Sequence, residues 1–387
     1  MRFALRIIAL VLLLTLTVLL ILPVQGEEHL TTDASTTTLR TNPPQTNAAS
    51  AVLLDVTGDC FLLLQNADER RPMASTTKIM TALVVLERCS LDETVTVPSE
   101  AVGVEGSSIY LFAGERITVK TLLYALLLSS ANDAAVTLAC HVAGSVTDFA
   151  ALMNARAAEM GLVNTHFTNP HGLYDTNHYT TARELALIAR AALQNETFAE
   201  IVATTRYTAP QLDTNATRLF VNHNRLLKSY EGTVGVKTGY TKKSGRCLVS
   251  AAFREGLLLL AVTLNDTDDW QDHQALFDWG FLHYECFSPP PVTQRLPVVG
   301  GVESAVCVEQ ATTVTLTLPR THGEITCVTE LPRFLFGGFE AGKTVGRVLY
   351  YMDGKVIATV PLQTTKAISR ATRRVGFLQK IQNIFIK

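Results

Sequence analysis

The chain is poor in charge. Only 18% of its 387 residues are Asp, Glu, Lys or Arg, and the formal net charge is −2. So weak and balanced a charge leaves no electrostatic footprint for nucleic acid. Close cysteine pairs are missing too. The seven cysteines (Cys60, Cys89, Cys140, Cys247, Cys286, Cys307, Cys327) contain no C-x-x-C, and an odd number cannot all pair within one chain. Most stand among apolar neighbours and read as buried free thiols, with Cys307–Cys327 the one pairing worth testing. Nine histidines include no H-E-x-x-H, so a metal hydrolase has little support. His171 and His178 read as loop residues rather than ligands, and no metal or other cofactor is expected.

What is abundant is apolar residues, 47% of the chain. Many of them fall in one run from Ile7 to Leu22, preceded by Arg2 and Arg6 and followed by Pro23-Val24-Gln25-Gly26. Residues 1–26 read as an export signal cleaved after Gly26, or as an uncleaved anchor, because the run is nearly long enough to span a bilayer. Either reading puts the remainder outside the cytoplasm. Residues 27–48, rich in Thr, Asn, Pro and Ala, read as a disordered linker. From Ala51 two apolar runs flank Thr57-Gly58-Asp59, the pattern of a hairpin. Helical spacing follows at Ile79, Ala82, Leu83 and Leu86, then over 121–130 and 132–143, and from the capping box at Thr181–Glu184 to about Leu193. Strands return at 233–238, 247–253 and 257–264. Strands at both ends with helices between them predict an α+β fold, a single sheet built from the ends of the segment 49–287 with a helical insertion.

Ser288-Pro289-Pro290-Pro291 marks a boundary, and the alternation over 290–362 predicts a small all-β domain. Residues 366–387 carry six cations and no acid. Ile368, Ala371, Val375, Leu378, Ile381 and Phe385 fall on one helical face, which predicts a basic amphipathic helix lying on an anionic membrane surface.

Three short motifs carry the chemistry: Ser75-Thr76-Thr77-Lys78, Ser130-Ala131-Asn132 and Lys237-Thr238-Gly239. Ser75 stands just before a helical pattern, where free backbone N–H groups favour developing negative charge. Lys78, three residues on, lies on the same face and can act as general base if burial and a second cation, Lys237, keep it neutral. Ser130 and Asn132 occupy a corner between helices; Ser130 can relay a proton to the leaving amine and Asn132 can hold a substrate amide. At the end of a strand, alternation puts Lys237 and Thr238 on opposite faces unless Gly239 lets the strand twist. Gly239 also lets substrate lie along the strand edge. The backbone N–H groups of Ser75 and Tyr240 can form an oxyanion hole.

With these motifs the chain resembles the serine-type D-alanyl-D-alanine carboxypeptidases, low-molecular-mass penicillin-binding proteins. Gly106-Ser107-Ser108-Ile109-Tyr110-Leu111, Asn169-Pro170-His171-Gly172-Leu173 and Lys237 through Thr241 add to the likeness, which is close over 49–287 and looser beyond. The resemblance implies a β-lactamase/transpeptidase-like fold and an acyl-enzyme on Ser75. It also implies removal of the terminal D-alanine from peptidoglycan stem peptides, covalent trapping by β-lactams, and a β domain and tail that hold the enzyme at the membrane. A class A β-lactamase shares the motifs but needs a carboxylate in a Glu-x-x-Leu-Asn context, near a position that here is His166; the nearest acid, Glu159, has the wrong neighbours. A penicillin-binding wall scaffold with decayed catalysis is the non-enzymatic alternative.

Overall fold

The fold is that of a computed structural model, which describes residues 42–214 and 216–371. Its central sheet joins the two ends of the first domain. Strands β1 (Ser50–Asp55) and β2 (Cys60–Gln65) form the predicted hairpin. Helix α1 (Lys78–Leu86) follows, then a two-stranded ribbon of β3 (Thr94–Thr96) and β4 (Arg116–Thr118). Next come α2 (Val119–Leu128), α3 (Asn132–Ala143), α4 (Val146–Glu159), α5 (Ala182–Leu193) and α6 (Glu196–Ala203). A second ribbon, β5 (Arg206–Pro210) with β6 (Thr217–Val221), precedes the short α7 (Leu226–Ser229). The long strands β7 (Thr233–Thr241), β8 (Gly245–Arg254) and β9 (Leu257–Asp266) and helix α8 (Asp269–His283) complete the domain. The sheet runs β2-β1-β9-β8-β7, all antiparallel, with β7 at an edge.

Alternation along the strands covers both faces. Val52 and Leu54 of β1, with Leu260 and Val262 of β9, pack into the cluster shared with the helices. Ala51 and Leu53, with Leu259 and Ala261, turn to the other cluster, with Leu276 and Phe277 of α8. A strand buried on both faces needs apolar residues at odd and even positions, which is why Leu257–Leu260 reads as an unbroken run. Local chemistry sets the helix starts: Thr118, Ser145, Thr181 and Asn195 each accept a backbone N–H from the first turn of α2, α4, α5 and α6.

The second domain is all-β, as predicted. After β10 (Tyr284–Phe287) come β11 (Thr293–Val299), β12 (Ala305–Gln310), β13 (Leu316–Pro319), β14 (Ile325–Glu330), β15 (Leu335–Phe336), β16 (Thr344–Met352) and β17 (Lys355–Thr364). Six of these form a sheet in the order β14-β16-β17-β12-β11-β15, over small cores of its own. The Pro-rich boundary is less clean than predicted, because β10 pairs with β13 across it.

Several expectations are corrected. The linker does not extend to residue 48: the Asn47 backbone N–H donates to Asp272 at 2.5 Å, Thr46 bonds Gln65, and Ala48 is buried. The predicted helix does not begin at Lys366. Ile368 bridges Phe339, Arg370 bridges Gly301, and Ile368 is core of the β domain, 1% exposed. Its spacing fitted an amphipathic helix because a buried strand-like residue and a helix face are alike over so short a window. Residues 1–41 and 372–387, and with them the signal, most of the linker and most of the basic tail, lie outside the described residues. Among the described residues no single helix is long and apolar enough to cross a membrane. All seven cysteines are free, so Cys307–Cys327 does not pair; only Cys247 is fully buried, while Cys60, Cys307 and Cys327 are exposed.

Candidate active site

The three motifs meet in one cleft between the β7 edge and the helical layer. Ser75 lies in a single 3₁₀ turn, Ala74–Thr77, that leads directly into α1 at Lys78. Ala74 adopts φ +48° and Ser130 φ +58°, the left-handed region that non-glycine residues avoid at a cost of about 1–3 kcal/mol each. The strain therefore sits on the residue before the serine and on the corner between α2 and α3. Both turns present side chains to a cleft rather than along a helix face.

Lys78 is wholly buried, and its Nζ has three partners: Ser75 Oγ at 2.9 Å, Asn132 Oδ1 at 2.7 Å and the His171 carbonyl at 2.8 Å. Asn132 Oδ1 and the carbonyl can only accept; a hydroxyl can also donate. A neutral amine thus spends its two N–H groups on these acceptors and turns its lone pair to the Ser75 hydroxyl. Burial drives the Lys78 pKa well below the lysine range, the charge of Lys237 pushes it the same way, and Asp133 opposes. Lys237 is also buried and is lowered by that burial to about 7; its Nζ donates to the Thr238 carbonyl at 2.8 Å.

The surroundings hold this arrangement still. Asp133 accepts from Ser108 Oγ at 2.7 Å and from the Ile109 and Leu111 N–H groups at 3.1–3.2 Å, which fixes the 105–111 loop over the start of α3. Asn132 Nδ2 donates to the Glu105 carbonyl at 2.5 Å. Asn132 thus orients the amine of Lys78 through Oδ1 and is itself held by one N–H on Glu105, which leaves its second N–H to hold a substrate carbonyl. The loop after α4 closes the other side. Thr81 Oγ1 donates to the Pro170 carbonyl at 2.6 Å, and His178 Nε2 lies 2.8 Å from Thr77 Oγ1. Burial first, then the Lys78 amine whenever it carries a proton, lowers His171 to about 3; His178 is lowered to about 4, mainly by burial. Both rings are neutral at ordinary pH and add no charge to disturb the lysines.

Gly172 is required by close approach, and Gly239 stands in a tight one. A Cβ on Gly172 would lie 1.9 Å from the Ala74 carbonyl oxygen; one on Gly239 would lie 3.0 Å from the Ser75 nitrogen. The β7 backbone therefore runs directly beside the Ser75 N–H, and β7, as an edge strand, has unpaired backbone groups on that side.

The open cleft, about 600 Å³, is lined by Ser75, Ser107, Ser130, Thr238, Gly239 and Tyr240, and further out by His223, Arg225, Arg246, Asp269 and Trp270. Of the two arrangements left open by the strand pattern, plain alternation is the one found: Thr238 lines the cleft while Lys237 is buried. Arg246 is tied to Asp269 by hydrogen bonds at 2.7 and 3.0 Å, which aims one guanidinium beside the cleft. Sequence reasoning missed this outer wall and the His171 carbonyl. Only the 169–173 stretch hinted at the latter, and a backbone acceptor leaves no residue-type signal. His166 sits elsewhere, bridged to Tyr179, and Glu159 is exposed and paired with Arg156.

A serine within hydrogen-bond reach of a desolvated amine, in a turn at a helix start and beside an edge strand, defines an active-site-serine enzyme of the penicillin-binding kind. The chain belongs to the D-alanyl-D-alanine carboxypeptidase family, whose profile matches residues 37–268. It is 31% identical over 350 residues to D-alanyl-D-alanine carboxypeptidase DacF of Bacillus subtilis, covering 86% of this chain and 88% of that one. It is 32% identical over 343 residues to DacC of Escherichia coli, covering 82% and 84%. Among solved structures it resembles penicillin binding protein 5 of Haemophilus influenzae, with a TM-score of 0.69 and 29% identity over 85% of this chain and 99% of that one.

Proposed function

We propose that this chain is an exported serine D,D-carboxypeptidase that removes the terminal D-alanine from peptidoglycan stem pentapeptides. One observation carries the reading: the buried Lys78 Nζ, with two obligate acceptors and the Ser75 hydroxyl as its third partner. Lys78 takes the Ser75 proton as Oγ attacks the carbonyl carbon of the penultimate residue. The oxyanion accepts from the Ser75 and Tyr240 N–H groups. When the tetrahedral adduct collapses, the C–N bond breaks and Ser130 passes the proton from Lys78 to the leaving nitrogen, releasing D-alanine and an ester on Ser75. Water, deprotonated by Lys78, then cleaves the ester and Ser75 regains its proton. Thr238 and the Gly239 edge, fixed from beneath by the Lys237 amine on the Thr238 carbonyl, hold the substrate's C-terminal end, and Arg225 and Arg246 supply cations suited to its carboxylate. β-Lactams acylate the same serine, because their amide presents the same carbonyl.

The class A β-lactamase reading fares worse. Among the described residues, no carboxylate lines the inner cleft around Ser75, and the acid in the cleft wall is Asp269, already bonded to Arg246. The enzyme would work outside the cytoplasm, with the basic residues beyond 371 resting on the outer face of the cytoplasmic membrane.

The test is Ser75→Ala, assayed for D-alanine release and, by mass spectrometry, for a penicillin adduct on the intact protein. Both vanish if Ser75 is the nucleophile; survival of either rejects the assignment.

A further inference from the structure

Far from the cleft, three side chains that share no part in the proposed chemistry converge. The Cys89 Sγ, a Glu93 carboxylate oxygen and a ring nitrogen of His141 all lie within 4.8 Å of one another. Each comes from a different, anchored piece of backbone. Cys89 follows the C-terminus of α1, its N–H bonded to the Val85 carbonyl at 2.9 Å. Glu93 is held on both sides: one carboxylate oxygen accepts the Ser90 N–H at 2.5 Å, and its own carbonyl accepts the Val119 N–H at 2.9 Å where α2 begins. His141 lies in the last turn of α3, with Nε2 2.9 Å from the other Glu93 oxygen.

A simple His–Glu ion pair explains the last contact but not the thiol beside it. The donor set of one thiolate, one imidazole and one carboxylate suits a borderline-soft divalent ion such as zinc, and its two negative charges match the ion's. At metal–ligand distances of about 2.0–2.3 Å and tetrahedral angles, the three donor atoms would stand about 3.3–3.6 Å apart. The separations found here, from 2.9 Å to no more than 4.8 Å, bracket that range. Ser90, bonded to the remaining Glu93 oxygen, supplies the outer hydrogen bond that orients a ligating carboxylate. All three residues are partly open to solvent, which leaves room for a water as fourth ligand.

We propose that Cys89, Glu93 and His141 form a zinc-type metal site that clips together the far ends of α1 and α3. These two helices begin at Lys78 and Asn132, so the clip braces the elements that carry the catalytic amine and its orienting amide, from the end remote from substrate. Its role is structural: it bears on the stability of the helical layer and leaves the reacting groups untouched.

The experiment uses the full chain, freed of metal by dialysis against a chelator and kept reduced. Titration with cobalt(II) should give a thiolate-to-cobalt absorption band that saturates at one ion per chain, and zinc should bleach it. Cys89→Ser should abolish the band although six cysteines remain, and His141→Asn should weaken binding at least about tenfold. Zinc at about a hundredfold over its Kd should raise the wild-type Tm by about 3–8 °C and leave Cys89→Ser unmoved. Metal-free Cys89→Ser should release D-alanine at the metal-free wild-type rate. A wild type without the band, a band that survives Cys89→Ser, or an equal zinc-induced Tm shift in both proteins overturns the site.

Discussion

Gly239→Ala tests the oxyanion hole with the smallest available perturbation. The added methyl would sit 3.0 Å from the Ser75 nitrogen, 3.1 Å from the Thr76 nitrogen and 3.1 Å from the Ala74 Cβ. Each is several tenths of an ångström inside a comfortable contact, and Ala74 cannot yield easily because it already holds φ +48°. The strand edge must therefore move back from the serine, or the methyl must cover the Ser75 N–H. Either way one of the two donors aimed at the developing oxyanion is lost. Losing one such donor costs about 10²–10³-fold in rate, equivalent to about 2.7–4 kcal/mol of transition-state stabilisation. Overpacking at an edge strand costs less in folding, about 1–3 kcal/mol. The assay is the second-order rate constant for acylation by a fluorescent penicillin, measured beside the Tm. The expected result is a large fall in acylation with the fold retained. Acylation within threefold of wild type would show that the Ser75 N–H does not serve the oxyanion.

Protonation gives the next tests. Lys78 must be neutral to act as base and its pKa is depressed, so acylation should climb as pH rises from 5 toward 9; a flat profile counts against it. Lys237, lowered to about 7 by burial, binds its proton more tightly in the unfolded chain. Its contribution to stability therefore grows with pH from about 7 to about 10.5, by up to about 1.4 kcal/mol per pH unit, and its burial penalty is greatest below pH 7. The Tm difference between wild type and Lys237→Met should shift in favour of wild type across that window; a constant difference rejects the buried-lysine reading. Truncation separates tail from domain: ending the chain at 371 should release signal-cleaved protein from membranes with an unchanged Tm, whereas ending it at 365 also removes Ile368 and should destabilise the β domain by about 2–5 kcal/mol. Equal Tm values for the two truncations would refute the placement of Ile368, and membrane retention of the shorter tail would refute the anchor.

The legible parts of the chain were those in which residue type and period agree. Ser75 and Lys78 share a face by spacing alone, Thr181 and Glu184 announce α5, and the alternation of β1, β8 and β9 places their residues on two covered faces. What stayed hidden has no residue-type signature. The His171 carbonyl that completes the Lys78 triad is backbone. The engagement of Asn132 with Glu105, and the pairing of Arg246 with Asp269, depend on loops whose paths no local pattern sets. Apolar neighbours in sequence are not neighbours in space, so they do not bury a cysteine: Cys307 points outward between the buried Val306 and Val308 on β12, and Cys327 is exposed on the edge strand β14.

The order of strands in the central sheet has a kinetic consequence. β1 hydrogen-bonds to β9, pairing Ala51 with Thr263, and β7 reaches the serine only as the next neighbour but one. Nothing local can close this sheet: the first strand emerges early in synthesis and waits for the last hairpin before it has a partner on its second edge. Such long-range pairing makes for slow folding and for a nascent chain with an exposed apolar strand. For an exported enzyme, as proposed for this chain, such a delay would keep the polypeptide open during passage through a membrane. The serine, the amine and the edge strand come together only once the chain as far as Asp266 is available to close the sheet.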